Sequence, residues 1–252
     1  MSPLSYDPFA VLRRLTPARI GLGRVGSGLP TAALLDFQFA HANAREAVAT
    51  SLDAEALADA LGWPSLILDS AAPDRETYLR RPDLGRRLPP GAGPIARGDF
   101  DLAIVIADGL SAAAAQSHAA EVTQALISAL AGWRVAPAAI VRQGRVAIGD
   151  EIGERLGARA VVVLIGERPG LSAADSLGAY LTWAPRIGRL DSERNCVSNI
   201  RPDGLPPQAA ARKIAWLLGE ARRLSFTGVE LKDRETPTLG ERSPKPLVDG
   251  RS

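Results

Sequence analysis

Residues 160–170 read "AVVVLIGERPG". Six apolar residues, most of them branched at Cβ, fit a strand covered on both faces. The run then breaks into a glutamate and an arginine set between glycines and a proline, which is turn chemistry. A buried strand ending in such a turn delivers a few polar groups to the edge of a sheet. Two upstream segments repeat the pattern: residues 100–107, "FDLAIVIA", and residues 135–142, "VAPAAIVR". Helical patterns separate the three. Residues 111–130 are alanine-rich with Val122, Leu126, Ile127 and Leu130 on one stripe, and residues 150–156 form a short helix ending near Gly157. Residues 206–224 make an amphipathic helix with proline at its start. Strand, helix, strand, helix, strand predicts an α/β fold with a parallel sheet, Rossmann-like, and helices on both faces.

Outward from this half, residues 1–95 read as a smaller, mostly helical N-terminal region. Its helices fall at 30–49 and 53–62, with one short strand in "PSLILDS", residues 64–70. The α/β domain is expected over 96–225, and 226–252 read as a flexible C-terminal tail lacking periodicity.

Composition excludes several classes. With 30 basic and 28 acidic residues the charges nearly cancel, which gives no case for a nucleic-acid or membrane partner. Arginine supplies 27 of the 30 basic residues, a bias that argues for anion recognition only where guanidinium groups are placed. One cysteine, Cys196, excludes an intrachain disulfide. The first residues lack the apolar core of a secretory signal, and no window reaches a membrane span, so the expectation is a soluble cytoplasmic chain. His41, His118 and Cys196 have no zinc-ligand spacing, and no metal site is expected. Nothing sets either histidine beside a nucleophile, so no catalytic residue is expected in this chain.

"GLGRVGSG", residues 21–28, contains G-x-G-x-x-G, but no strand precedes it, and the acid at the right distance, Glu46, falls inside a predicted helix. It reads as a glycine-rich loop that introduces a helix rather than a dinucleotide fingerprint. The three strand ends carry more. "ADGLSA" (107–112), "RQGRVAIGD" (142–150) and "GERPGL" (166–171) all lie at the carboxyl edge of one parallel sheet, where open α/β folds bind ligands. In the first, Ser111 is a natural N-cap.

Four phrases together, "YLRRPDLGRRL" (78–88), "VIADGLSA" (105–112), "IGERLGARAVVVLIGERPGL" (152–171) and "RNCVSNIRPDGLPP" (194–207), resemble the small subunit (light chain) of ethanolamine ammonia-lyase. The resemblance runs from about Thr16 to Leu224. It implies a heteromeric carbon–nitrogen lyase that uses adenosylcobalamin and a radical mechanism to turn ethanolamine into acetaldehyde and ammonia. It also implies a large subunit that holds the substrate, a hetero-oligomer of heterodimers, and a place in the cytoplasm or within a bacterial microcompartment. By position it assigns cobalamin contacts to Val146, Glu167 and Cys196, with Arg145 as an addition. No Asp-x-His-x-x-Gly motif surrounds His41 or His118, so a bound cobalamin is expected base-on, with its own dimethylbenzimidazole below the cobalt. Read without the resemblance, Glu167 would pair with Arg168 or a neighbouring arginine, and Cys196 would be a small buried apolar residue. Two other readings stand beside it: a self-contained α/β enzyme for a nucleotide or phosphate, and a structural subunit whose loops face only protein.

Overall fold

The computed structural model describes residues 7–16 and 18–232. The rest of the sequence-predicted tail, 233–252, lies outside the described residues. The chain orders its elements as α1 (Ala10–Leu15), α2 (Thr31–Ala49), α3 (Ala54–Leu61), β1 (Ser65–Asp69), α4 (Arg75–Arg80), β2 (Phe100–Ala107), α5 (Ala112–Ala129), β3 (Ala138–Arg142), α6 (Ile148–Leu156), β4 (Ala158–Gly166), β5 (Leu177–Trp183), β6 (Asn195–Ile200) and α7 (Pro207–Leu224). The expected strands and helices are all present, most within a residue or two of their predicted ends. Residues 135–142 shrink to β3, with Val135 bridging to Leu102 on β2.

The fold is mixed α/β around one six-stranded sheet in the order β1-β3-β2-β4-β5-β6. β1, β3, β2 and β4 run parallel, as the pattern predicted. β5 and β6 correct the expectation of an all-parallel sheet: β5 pairs antiparallel with β4, and β6 antiparallel with β5. The connections explain the change of direction. The chain between β4 and β5, residues 167–176, is a loop with no helix, and a strand that returns without a crossover must pair antiparallel.

β1 also crosses the expected boundary at residue 95. It pairs with β3 in register from Ser65 opposite Ala138 to Asp69 opposite Arg142. Leu52, Leu57 and Leu61 belong to the same core as Leu126 and Ile140. Residues 52–69 are therefore part of the α/β body. By contrast, Ala47 is the buried residue of the 19-residue α2, and α1 buries none. The glycine loop before α2 is a small turn, in which Val25 and Gly28 exchange both backbone hydrogen bonds, and among the described residues no strand leads into it.

Side chains alternate across the sheet. Leu102, Ile104, Ile106, Val162, Leu164, Ala179 and Leu181 face α3, α5 and α7. Ala103, Val105, Val161, Val163 and Ile165 face α6 and the chain around Leu88. α6 lies close to the strands because Gly149 and Gly153 point at them: a Cβ on Gly149 would fall 2.3 Å from Val163 Cγ2. α5 is capped as its sequence suggests, with Ser111 Oγ accepting from the amide of Ala114. Residues 226–232, expected in the tail, are held in place: Thr227 Oγ1 accepts from the amide of Trp183, Leu231 is buried, and Asn195 Nδ2 donates to its carbonyl.

Candidate functional site

The carboxyl ends of β1, β2, β3 and β4 share one edge of the sheet, and β6, running with them, ends there too. At this edge, on the α6 side of the sheet, lies an open cavity of about 440 Å³. It is lined by Arg145, Val146, Glu167 and Arg168, with Tyr78 and Tyr180 closing its sides. Three of the four residues expected at a site thus meet in one hollow. Cys196, the fourth, does not line the cavity. It stands opposite Tyr180 in the β5–β6 ladder and shares a side-chain hydrogen bond with it.

Glu167 is placed by backbone geometry that tolerates no side chain. A Cβ on Gly166 would lie 1.9 Å from the Ser111 carbonyl oxygen, and the Leu110 amide donates to the Gly166 carbonyl at 3.0 Å. Facing it, Gly109 has φ +56°, and a Cβ there would meet that same carbonyl. The two turns "ADG" and "IGE" are therefore pressed together, and Glu167 leaves from the crossing. Its carboxylate accepts from Ser176 Oγ at 2.5 Å and from the amide of Asn199 at 3.3 Å. The alternative expected from residue types, an ion pair with Arg168 or another arginine, does not form among the described residues. The loop itself is tied to α5, since Ser111 Oγ donates to the Ala174 carbonyl and His118 approaches Asp175 at 3.4 Å.

Arg145 and Val146 come from the turn after β3. Asp108, almost wholly buried at the end of β2, accepts from the amides of Gln143 and Gly144 at 3.0 and 3.1 Å, and holds Gln143 at φ +57°. Burial pushes the Asp108 carboxyl above its usual range, against those amides and against Arg75, whose guanidinium is 3.5 Å away. The Arg145 amide donates to the Gly85 carbonyl at 2.7 Å. Its guanidinium lies 4.1 Å from the centre of the Tyr78 ring and donates to the Tyr78 carbonyl. Tyr78 is buried, its hydroxyl donates to the Gly144 carbonyl, and burial lifts its pKa to about 12.

The β5–β6 wall is polar and less covered. Burial raises the Tyr180 pKa to about 12, with Cys196 and Glu167 adding to the effect. Burial likewise pushes the Cys196 thiol up, yet Cys196 is an exposed residue. That corrects the reading of it as a small buried apolar residue. Beneath this wall Arg194, buried, grips Asp150 on α6 with both terminal nitrogens at 2.7 and 2.6 Å and also donates to Thr182. The pair links the helix that follows Val146 to the strand that carries Cys196.

Sequence reasoning did not name Tyr78, Tyr180, Asp108's clamp or the Arg194–Asp150 pair as site residues. Tyr78 sat in a quoted phrase, and Tyr180 lay on an alternating run, Leu177, Ala179 and Leu181 in one direction, that marks a strand. The histidines stay away from the cavity: His41 stacks on Phe37, and His118 lies on α5.

Comparison with known proteins adds independent information. The family model described as ethanolamine ammonia-lyase light chain (EutC) matches residues 6–232. The ethanolamine ammonia-lyase small subunit of Azotobacter vinelandii is 56% identical over 244 residues, covering 92% of this chain and 90% of that one. Those of Xanthomonas campestris pv. campestris and Ralstonia nicotianae are 53% and 51% identical, each covering more than nine-tenths of both chains. The match spans the sheet, both walls of the cavity and the segment that packs after α7. This chain belongs to the ethanolamine ammonia-lyase light chain family.

Proposed function

We propose that this chain is the small subunit of an adenosylcobalamin-dependent ethanolamine ammonia-lyase, forming one wall of the cobalamin site while a large subunit holds ethanolamine. One observation carries the reading: Arg145, Val146 and Glu167, distant in sequence, line one cavity, and Cys196 adjoins it through Tyr180. The cavity is open and far smaller than a corrinoid, so it fits the edge of one, with the remainder covered by another chain.

The residues suit the group. The Glu167 carboxylate keeps acceptor capacity beyond Ser176 and Asn199, and the peripheral amides of a corrin ring are donors in need of acceptors. Val146 offers apolar contact, and Cys196 and Tyr180 offer a flat, half-covered strand surface. When bound, the cofactor supplies radical chemistry by cobalt–carbon homolysis. This chain binds and orients it, and shields its side of the site from water. The base-on form expected from the lack of an Asp-x-His-x-x-Gly motif is part of the same proposal. The Rossmann-like description of the α/β body and a hetero-oligomer of heterodimers belong to the same proposal, as does a location in the cytoplasm or a microcompartment; among the described residues no helix is long and apolar enough to cross a membrane.

The test is co-purification with the matching large subunit, then ethanolamine turnover against added adenosylcobalamin for wild type and Glu167→Ala. Activity that needs both chains, with a raised cofactor requirement in the variant, supports the proposal. A complex in which neither this chain nor Glu167 alters cofactor use overturns it.

A further inference from the structure

Two opposite charges share the cavity without pairing. Glu167 and Arg145 both line it, yet no ion pair joins them. Each is held by its own tether: Glu167 by Ser176 and the Asn199 amide, Arg145 by the Tyr78 ring and carbonyl. Gly85 packs against the arginine stem, where a Cβ would come within 2.8 Å of Arg145 Cγ. Arg145 has no carboxylate partner among the described residues, and its Nε is buried without an acceptor. Asp108, the buried acid that accepts from the neighbouring Gly144 amide, already faces Arg75 and two backbone amides. A half-buried guanidinium fixed in place, with no carboxylate partner and open to the cavity, is suited to receive an anionic ligand. Arg168 also lines the cavity, but it is exposed and solvated.

We infer that the cavity is bipolar by construction, with Arg145 receiving an anionic phosphodiester and Glu167 receiving amide N–H donors of the same ligand. The inference rests on the cobalamin reading above. A cobalamin carries both groups: amides on the corrin rim, and one phosphodiester in the loop that ends in its base. Arg145 therefore distinguishes a complete cobalamin from a corrinoid that lacks the nucleotide loop, a selectivity that contact with the ring alone does not give.

The experiment uses the reconstituted two-chain complex and two probes, cyanocobalamin and dicyanocobinamide, which lacks the loop and its phosphodiester. Dissociation constants are read from the absorption change on binding, with no turnover involved. Wild type is expected to prefer cyanocobalamin, Arg145→Met to weaken it about tenfold while leaving dicyanocobinamide unchanged, and Arg145→Lys to fall between. Arg168→Met is expected to alter neither probe. Equal losses for both probes in Arg145→Met, or a selectivity that moves with Arg168 instead, would overturn the assignment. Should Arg145→Met fail to assemble, the ratio of the two constants in Arg145→Lys decides, and an unchanged ratio counts against it. Glu167→Gln separates the two levels of the argument. Weakened binding of both probes by Glu167→Gln with no effect of Arg145→Met sinks only the anion assignment. No effect of either variant sinks the cobalamin reading itself.

Discussion

The two faces of the sheet bury similar residues and end differently. One is closed along its length by α3, α5 and α7, and its side chains, from Leu102 to Leu181, join one large apolar core. The other is closed by α6 over β2 and β4 but leaves β5 and β6 half bare, where Tyr180 and Cys196 reach the surface. What keeps that open half rigid is polar: the Arg194–Asp150 pair, the Asp108 clamp and the tethers of Glu167. The closed face is held through apolar area, while the open face is held by these polar contacts.

The contrast can be broken at its strongest point. Arg194→Ala leaves Asp150 buried and unpaired, and is expected to cost about 3 to 5 kcal/mol in chemical denaturation, more than an exposed pair would. Leu181→Ala, on the closed face one residue from Tyr180, is expected to cost about 2 to 5 kcal/mol and to leave cobalamin affinity in the assembled complex near wild type. A large affinity loss in the Leu181 variant would blur the division between faces. Glu167→Gln should do the reverse, with an unchanged melting temperature and roughly tenfold weaker corrinoid binding, about 1.4 kcal/mol.

Two smaller effects concern protons. Because burial raises the Asp108 carboxyl, the folded chain still holds a proton there at a pH where the unfolded chain has lost it. Wild type should therefore lose stability relative to Asp108→Asn as the pH climbs from below the ordinary carboxylate range through the folded pKa. Urea midpoints of both proteins at pH 3.5 and 7 check the sign. The Cys196 thiol, also raised, should alkylate slowly at neutral pH despite its exposure, and Tyr180→Phe should slow it further by removing the hydrogen bond that favours the thiolate. Mass spectrometry of iodoacetamide-treated isolated chain against pH reads both rates.

Much of this was legible in sequence, for identifiable reasons. β2 and β4 are covered on both faces, so apart from Asp101 and Arg159 near their starts their residues are apolar and announce themselves. β6 is covered on one face only and β5 leaves Tyr180 and Trp183 half-covered, and "LGAYLTW" and "NCVSNI" spread a weaker, alternating signal over small and polar residues. The carboxyl-edge turns were readable because glycine and aspartate have few other uses at such positions. The clamp around Arg145 was not, because it joins Tyr78, Gly85, Asp108 and Gln143 from separate segments that only the sheet order brings together. The same order hid the role of the N-terminal third, whose strand β1 sits at an edge far from its neighbours in sequence.

That edge position has a consequence for synthesis. β1 is made early, but its neighbour in the sheet is β3, which leaves the ribosome only after β2 and α5 have been completed. Until then Leu57, Leu61 and Leu66 have no sheet to pack on, and the unpaired backbone of β1 is open to other chains. The growing chain thus passes through a stretch of translation in which β1 has been made and its sheet neighbour has not, an interval that ends once residue 142 is available.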